Sequence, residues 1–243
     1  MKTIKKAEVV FRFKQFDIHQ DKCTMKVGTD GVLLGAWANV ENARKALDIG
    51  TGTGLIALML GQRTSGCDIH AVEIDETAAN QARENAAGVP WKNRVNIIHR
   101  AIQDYQKECE EKYDLIVSNP PFFSGGTFSG NQDKNNVRHT IKLPHGDLLS
   151  AARNLLEPGG KFCIILPFIE GLRFQELAQS YKLYCTRLTE VLPTGKKPVE
   201  RLLMQFERQE RPVEKDSLII QKGKRNEWTD AYIRLTGDFY LKM

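Results

Sequence analysis

The run SNPPFF at 118–123 holds the most specific chemistry in this chain. Proline fixes φ and carries no N–H, so the carbonyls around Pro120 and Pro121 are left free to accept. The side-chain carbonyl of Asn119 and the backbone carbonyl of Pro120 can together hold both hydrogens of a planar amino group. The lone pair of such a nitrogen is conjugated, which makes it a poor nucleophile. Accepting both hydrogens helps it pyramidalise and attack. Phe122 offers a ring on which the base carrying that nitrogen can stack, an interaction worth ~1–3 kcal/mol. The plainer alternative is a proline strand stop followed by a core aromatic.

A second constellation precedes it. LDIGTGTG (47–54) ends an apolar run and opens a helical pattern. Gly50, Gly52 and Gly54 leave the backbone bare to an approaching ligand, and a helix N-terminus behind them favours a negative group. A dinucleotide fingerprint requires G-x-G-x-x-G. Here the spacing is G-x-G-x-G, with Leu55 where the third fingerprint glycine would stand, which disfavours hydride-transfer cofactors. Glu73 ends the next apolar run, where a carboxylate can accept both hydroxyls of an unphosphorylated ribose. Asp75 competes for that role. Asp104 follows a third run, beside the place of an adenine amine, with a helix N-cap as the equal alternative. Asp48 either accepts from backbone amides of the glycine loop or orders its turn.

These residues must be carried by strand–helix units. Residues 45–50, 68–75, 94–101, 113–121 and 161–167 read as strands, and 54–63, 76–88, 145–160 and 174–182 as helices. That alternation predicts a parallel sheet with right-handed crossovers. Residues 186–193 and 201–208 read as a closing antiparallel pair. The Gly-, Ser- and Asn-rich stretch 122–140 interrupts the pattern and reads as a long loop of the kind that often serves as a lid. The whole is expected to be one domain over 1–243, with an extension at 1–40, a core at 41–210 and a second extension at 211–243.

Composition narrows the partners. Of 243 residues, 41% are hydrophobic, enough for a real core, and no apolar run reaches the 18 residues a membrane span needs. The start, MKTIKKAEVVFRF, lacks a signal-peptide core, so a cytoplasmic protein is expected. Five cysteines without C-x-x-C spacing predict reduced thiols and no metal site. The net charge of +5 is unevenly spread. Residues 1–26 hold seven Lys/Arg against three Asp/Glu, and residues 194–226 hold nine against five, so each flank carries a surplus of four while the middle is slightly acidic. Basic flanks of this kind suit a polyanionic partner.

The pairing of DIGTGTG with NPPF resembles the amino-group branch of the class I S-adenosylmethionine-dependent methyltransferases. FRFKQF (11–16), KVGTDGVLLGAWA (26–38) and the closing WTDAYIRLTGDFYLKM (228–243) extend the likeness over nearly the whole chain, to the bacterial valine-tRNA adenosine-37 N6-methyltransferase family. The resemblance implies an α/β, Rossmann-like fold with a seven-stranded, mostly parallel sheet, an antiparallel closing strand and helices on both faces. It implies S-adenosylmethionine held by Asp48, Gly50, Gly52, Gly54, Glu73, Asp104 and Asn119, with Thr29 and Asp30 capping the pocket. It implies Asn119, Pro120 and Phe122 at the target adenine, whose N6 displaces S-adenosylhomocysteine in line with no metal. Lys5, Lys6, Arg12, Lys14, Arg138, Lys196 and Lys197 become candidates for phosphate contacts with tRNA, joined by Lys2, Arg201, Lys222, Lys224 and Arg225. Some relatives carry tyrosine where Phe122 stands, and both stack. The rivals are ribosomal-RNA or DNA adenine methylation, protein glutamine N5-methylation and a non-catalytic RNA-binding module. The glutamine enzymes usually carry a helical N-terminal domain for which no room precedes residue 45. A pure binder has no use for amine acceptors.

Overall fold

The computed structural model describes residues 9–23, 25–121, 143–224 and 226–243. A short hairpin, β1 (Val10–Arg12) with β2 (Asp17–His19), precedes the helix α1 (Thr29–Trp37). The strand–helix series follows: β3 (Lys45–Ile49), α2 (Leu55–Arg63), β4 (Asp68–Glu73), α3 (Glu76–Ala87), β5 (Val95–His99), α4 (Ile102–Glu108) and β6 (Tyr113–Ser118). After the described chain resumes come α5 (His145–Leu155), β7 (Leu156–Pro167), α6 (Phe168–Ser180), β8 (Tyr184–Thr194), β9 (Arg201–Glu207), β10 (Glu214–Gln221) and α7 (Asp230–Thr236).

The main sheet has the order β10-β8-β9-β7-β6-β3-β4-β5. Every neighbouring pair is parallel except the two that involve β9, which runs antiparallel to both β7 and β8. The expected fold class is therefore present, with one more strand than the seven anticipated. Residues 214–221, expected as part of an extension, add β10 to the edge of the sheet parallel to β8. Its sequence, EKDSLIIQ, is exposed over its first half, so it has no continuous apolar run to announce it. The Pro-Gly-Gly at 158–160 also differs from expectation. It belongs to the irregular start of β7 rather than to the end of α5, and Gly160 is required there because a Cβ would lie 2.8 Å from the Tyr113 carbonyl oxygen.

Alternate residues of the central strands feed two cores, as the two-residue period of a strand dictates. On β7, Phe162, Ile164 and Leu166 point to the face covered by α4, α5 and α6, while Cys163 and Ile165 point to the face covered by α1, α2, α3 and α7. A sheet covered on both faces explains why β3 is buried from Ala46 to Ile49 and reads as a nearly unbroken apolar run. All five cysteines are unpaired, and four of them are buried. Burial pushes the Cys163 thiol up to about 12, so it packs as a small apolar group. No described helix is long and apolar enough to cross a membrane.

Candidate active site

β3 leads through α2 to β4 on one side, and β6 returns to pair with β3 on the other. The crevice outside the carboxyl ends of β3 and β6 is thus a topological switch point, where open α/β sheets bind ligands. The glycine loop leaves β3 there and Asn119 leaves β6. The pairing of Asp48 with Val117 continues through a hydrogen bond from Ser118 Oγ to the Ile49 carbonyl at 2.8 Å. The two motifs, nearly seventy residues apart in the chain, therefore begin on adjacent strand ends.

The loop has the geometry its glycines permit. Gly50, Gly52 and Gly54 have φ of 73°, 56° and 85°, in the left-handed region that side chains disfavour. A Cβ at Gly50 or Gly52 would meet nothing within 4 Å, so these two present open backbone to the crevice, whereas Gly54 packs against Ala82 of α3. The amides of Gly50 and Thr51 both donate to the Val72 carbonyl, fastening the loop to the end of β4. Asp48 is fully buried and orders the turn: one oxygen accepts from Thr51 Oγ1 at 2.6 Å and from the Ala57 amide at 3.2 Å. Desolvation raises its pKa to about 7.

Glu73 and Asp75 separate cleanly. Glu73 turns to the loop, with Oε2 accepting from the Gly52 amide at 2.8 Å and Oε1 from the Asp75 amide at 3.0 Å. Asp75 caps α3, accepting from the Ala78 amide at 2.8 Å. A carboxylate offers about four acceptor positions, so Glu73 keeps about two for the hydroxyls of a ribose at the loop.

Above the crevice lies the start of α1. A Cβ at Gly31 would be 3.0 Å from Leu55 Cδ2 and 3.8 Å from Asn119 Nδ2, so α1 closes over the glycine loop and over Asn119 together. Arg201, at the start of β9, donates through Nε to Asp30 Oδ2 at 2.9 Å and holds this end of α1. That contact spans 171 positions, and no local pattern announces it. Thr29 is exposed at the first turn, and Asp30 is occupied by Arg201.

Asn119 is half-buried and Pro120 is buried. Asn119 Oδ1 is shielded from solvent and has no hydrogen-bond partner among the described residues. An acceptor left in that state can take a donor from a bound ligand. Asp48 Oδ1 is unpartnered in the same way. The open backbone at Gly50 and Gly52, the spare acceptor positions of Glu73 and the orphaned Asn119 oxygen fit an adenosyl cofactor beside an amine-bearing target.

Other candidates fare differently. Asp104 does not cap α4, because the cap residue is Ala101; it is exposed, with its carboxylate 3.2 Å from Lys107 Nζ. An adenine contact requires it to leave that pair, which costs little at a surface. Lys14 is internal in function: its ammonium donates to the carbonyls of Gly237 at 2.6 Å and Met243 at 3.3 Å. Gln62, near the end of α2 remote from the glycine loop, holds the neighbouring Asp238 carbonyl. Lys14 therefore lies beside the end of α2 remote from the glycine loop, while the other end of the hairpin, at His19, is bonded to Asn85, whose Nδ2 also donates to the Thr53 carbonyl of that loop at 2.8 Å. Phe122, Arg138, Lys2, Lys5, Lys6, Arg225 and the expected lid at 122–140 lie outside the described residues. Among the described residues no group of three His, Cys, Asp or Glu side chains is placed to hold a metal ion.

Comparison with known proteins agrees with this geometry. Residues 24–173 match the methyltransferase small domain family. A tRNA1(Val) (adenine(37)-N6)-methyltransferase of Trichodesmium erythraeum is 49% identical, covering 96% of this chain and 98% of its own length. A protein of the same name from Aeromonas hydrophila is 46% identical, again over 96% and 98%. Among solved structures, a predicted O-methyltransferase from Agrobacterium tumefaciens superposes with a TM-score of 0.68 at 16% identity, covering 86% of this chain and 96% of that one. A glycopeptide N-methyltransferase complexed with S-adenosylmethionine gives 0.56 at 12% identity, over 76% and 100%. At those identities the structural likeness speaks for the fold alone.

Proposed function

From the premise that this chain belongs to the tRNA1(Val) (adenine(37)-N6)-methyltransferase family, we propose that it methylates the exocyclic N6 of adenosine 37 in valine tRNA. The observation that supports the reading is the buried Oδ1 of Asn119 at the switch point, without a hydrogen-bond partner among the described residues, beside open glycine backbone. S-adenosylmethionine, when bound, supplies a methyl group already activated on a sulfonium.

The chain's own residues do the rest by binding and orientation. Glu73 accepts from the ribose hydroxyls and Gly50 and Gly52 leave room for the cofactor's backbone-facing edge. Asn119 Oδ1 and the Pro120 carbonyl accept the two hydrogens of the adenine amine. This draws the lone pair out of conjugation with the ring and aims it across the crevice. Prolines at 120 and 121 have no backbone N–H to compete for its approach. Phe122 stacks the adenine ring. The main catalytic contribution is then positioning, which can supply several kcal/mol. An adenine in an anticodon loop is unpaired, so extruding it costs less than it would from a duplex.

The test is transfer from methyl-labelled cofactor to unmodified tRNA, bulk ribosomal RNA, DNA and a release factor, side by side. Label at N6 of adenosine 37 in valine tRNA is expected. Label appearing instead on ribosomal RNA, DNA or a glutamine side chain overturns the assignment.

A further inference from the structure

The antiparallel strand β9 has a geometric consequence. Because β8 runs parallel to β7, its carboxyl end lies on the same sheet edge as the carboxyl ends of β3 and β6. The turn joining β8 to β9 therefore projects from the crevice edge, and it carries Lys196 and Lys197, both exposed. It is a defined turn, closed by the Lys197 amide on the Thr194 carbonyl at 3.1 Å. β10 is parallel to β8 and in register with it, Gln221 opposite Thr194, so the segment after β10 leaves from the same edge. That segment carries exposed Lys222 and Lys224 and is held by the Lys222 amide on the Glu227 carbonyl at 2.8 Å. The two turns are neighbours: a Cβ at Gly195 would be 3.6 Å from Ile219 Cδ1 of β10.

Resting on the functional reading above, we infer that these two turns form the tRNA phosphate-binding surface, with Lys196, Lys197 and Lys224 as the contacting cations. Lys222 and Arg201 are structural members of the surface, held by Asp230 and Asp30 at 2.9 Å each. The three named lysines have no salt-bridge partner among the described residues. Glu200 is the exposed acid of the first turn and Glu227 that of the second, so the surface is basic but not uniformly so. The described cations of the N-terminal flank are engaged within the fold: Lys14 by the Gly237 carbonyl, Lys22 by Glu84 at 2.6 Å, Lys26 by the Cys23 carbonyl at 2.8 Å, and Arg12 faces Asp17 across the hairpin at 4.0 Å.

Distance assigns the role. β8 and β10 stand three and four strands from β6, which at about 4.8 Å per strand is roughly 14–19 Å along the edge. That reach excludes the target nucleotide itself and suits backbone several nucleotides away. The lysines therefore govern tRNA affinity and leave the reacting amine untouched.

The experiment compares the full-length wild type with the triple variant Lys196→Ala, Lys197→Ala, Lys224→Ala, measuring tRNA binding across a salt series and transfer at saturating tRNA. Each phosphate contact contributes about 0.7–0.9 to the slope of log Kd against log salt, so three should lower it by about 2 and raise Kd about tenfold or more near physiological salt. The kcat at saturating tRNA and the cofactor Kd should be unchanged, and the matching Lys→Arg triple should restore the slope. An unmoved slope overturns the surface, as does an Arg12→Ala variant that lowers the slope as much. A wild type that transfers no label to tRNA overturns the functional reading instead, so the two failures are distinguishable.

Discussion

Asp48 offers the sharpest quantitative test, because its burial sets both a sign and a size. Its carboxyl rises from an ordinary 3.8 to about 7, chiefly through desolvation and against the hydrogen bonds from Thr51 and Ala57. The unfolded chain therefore ionises Asp48 near pH 4, while the folded chain holds the proton until near pH 7. Between those values the folded state binds more protons, so stability falls as pH rises. At about 1.4 kcal/mol per pH unit over about three units, the ionised carboxylate costs the fold up to about 4 kcal/mol by pH 8. The substitution Asp48→Asn keeps the shape and an acceptor for Thr51 Oγ1 and the Ala57 amide but cannot ionise. Urea unfolding followed by tryptophan fluorescence at pH 5, 6, 7 and 8 gives both stabilities. The variant should gain on the wild type by about 1 kcal/mol per pH unit from pH 5 to 7 and no further above that. Parallel stability curves for the two proteins would refute the argument that burial holds Asp48 protonated.

Three further outcomes follow from the site. Asn119→Ala should lower kcat by about 10²-fold or more, the scale seen when one oriented hydrogen-bonding group is removed from a reacting centre, while calorimetry shows cofactor affinity retained. Glu73→Ala should weaken cofactor binding by about 10²-fold, two charge-assisted hydrogen bonds at about 1.5 kcal/mol each, measured by the same titration. Asp75→Ala should behave in the opposite way, with about 1 kcal/mol of stability lost from the α3 cap in thermal unfolding and cofactor affinity kept. If Asp75→Ala weakened the cofactor as much as Glu73→Ala does, the division of labour between the two acids would be wrong.

The legible parts of this protein are those written in local sequence. Buried parallel strands are short apolar runs, so β3 to β7 could be found by inspection, and so could α3 with its Ala-rich face. Strand alternation could not choose between Glu73 and Asp75, which two residues apart would share a face; the fold decides it, ending β4 at Glu73, swinging Asp75 onto Ala78 and leaving Glu73 facing Gly52. Elements without periodicity were missed: α1 is apolar on nearly every side because it is buried all round, and β10 has an exposed, charged first half. Long-range facts were invisible. Nothing near Asp30 foretells Arg201, and nothing near Lys14 foretells the Gly237 carbonyl.

The two basic flanks show why that distinction matters for function. As numbers they are equal, each with a surplus of four positive charges. What separates them is strand direction. β8 runs parallel to β7, and the antiparallel β9 returns the chain so that β10 does too; both end at the edge where Asn119 stands, and the turns after them carry lysines to it. The turn end of the β1–β2 hairpin instead meets the C-terminal residues beside the far end of α2, where Lys14 is held by the Gly237 and Met243 carbonyls. Among the described residues, Lys14 and Lys22 are engaged within the fold, while Lys196, Lys197 and Lys224 have no salt-bridge partner. Charge counted along a chain becomes a statement about partners only once topology has decided which edge of the sheet it reaches.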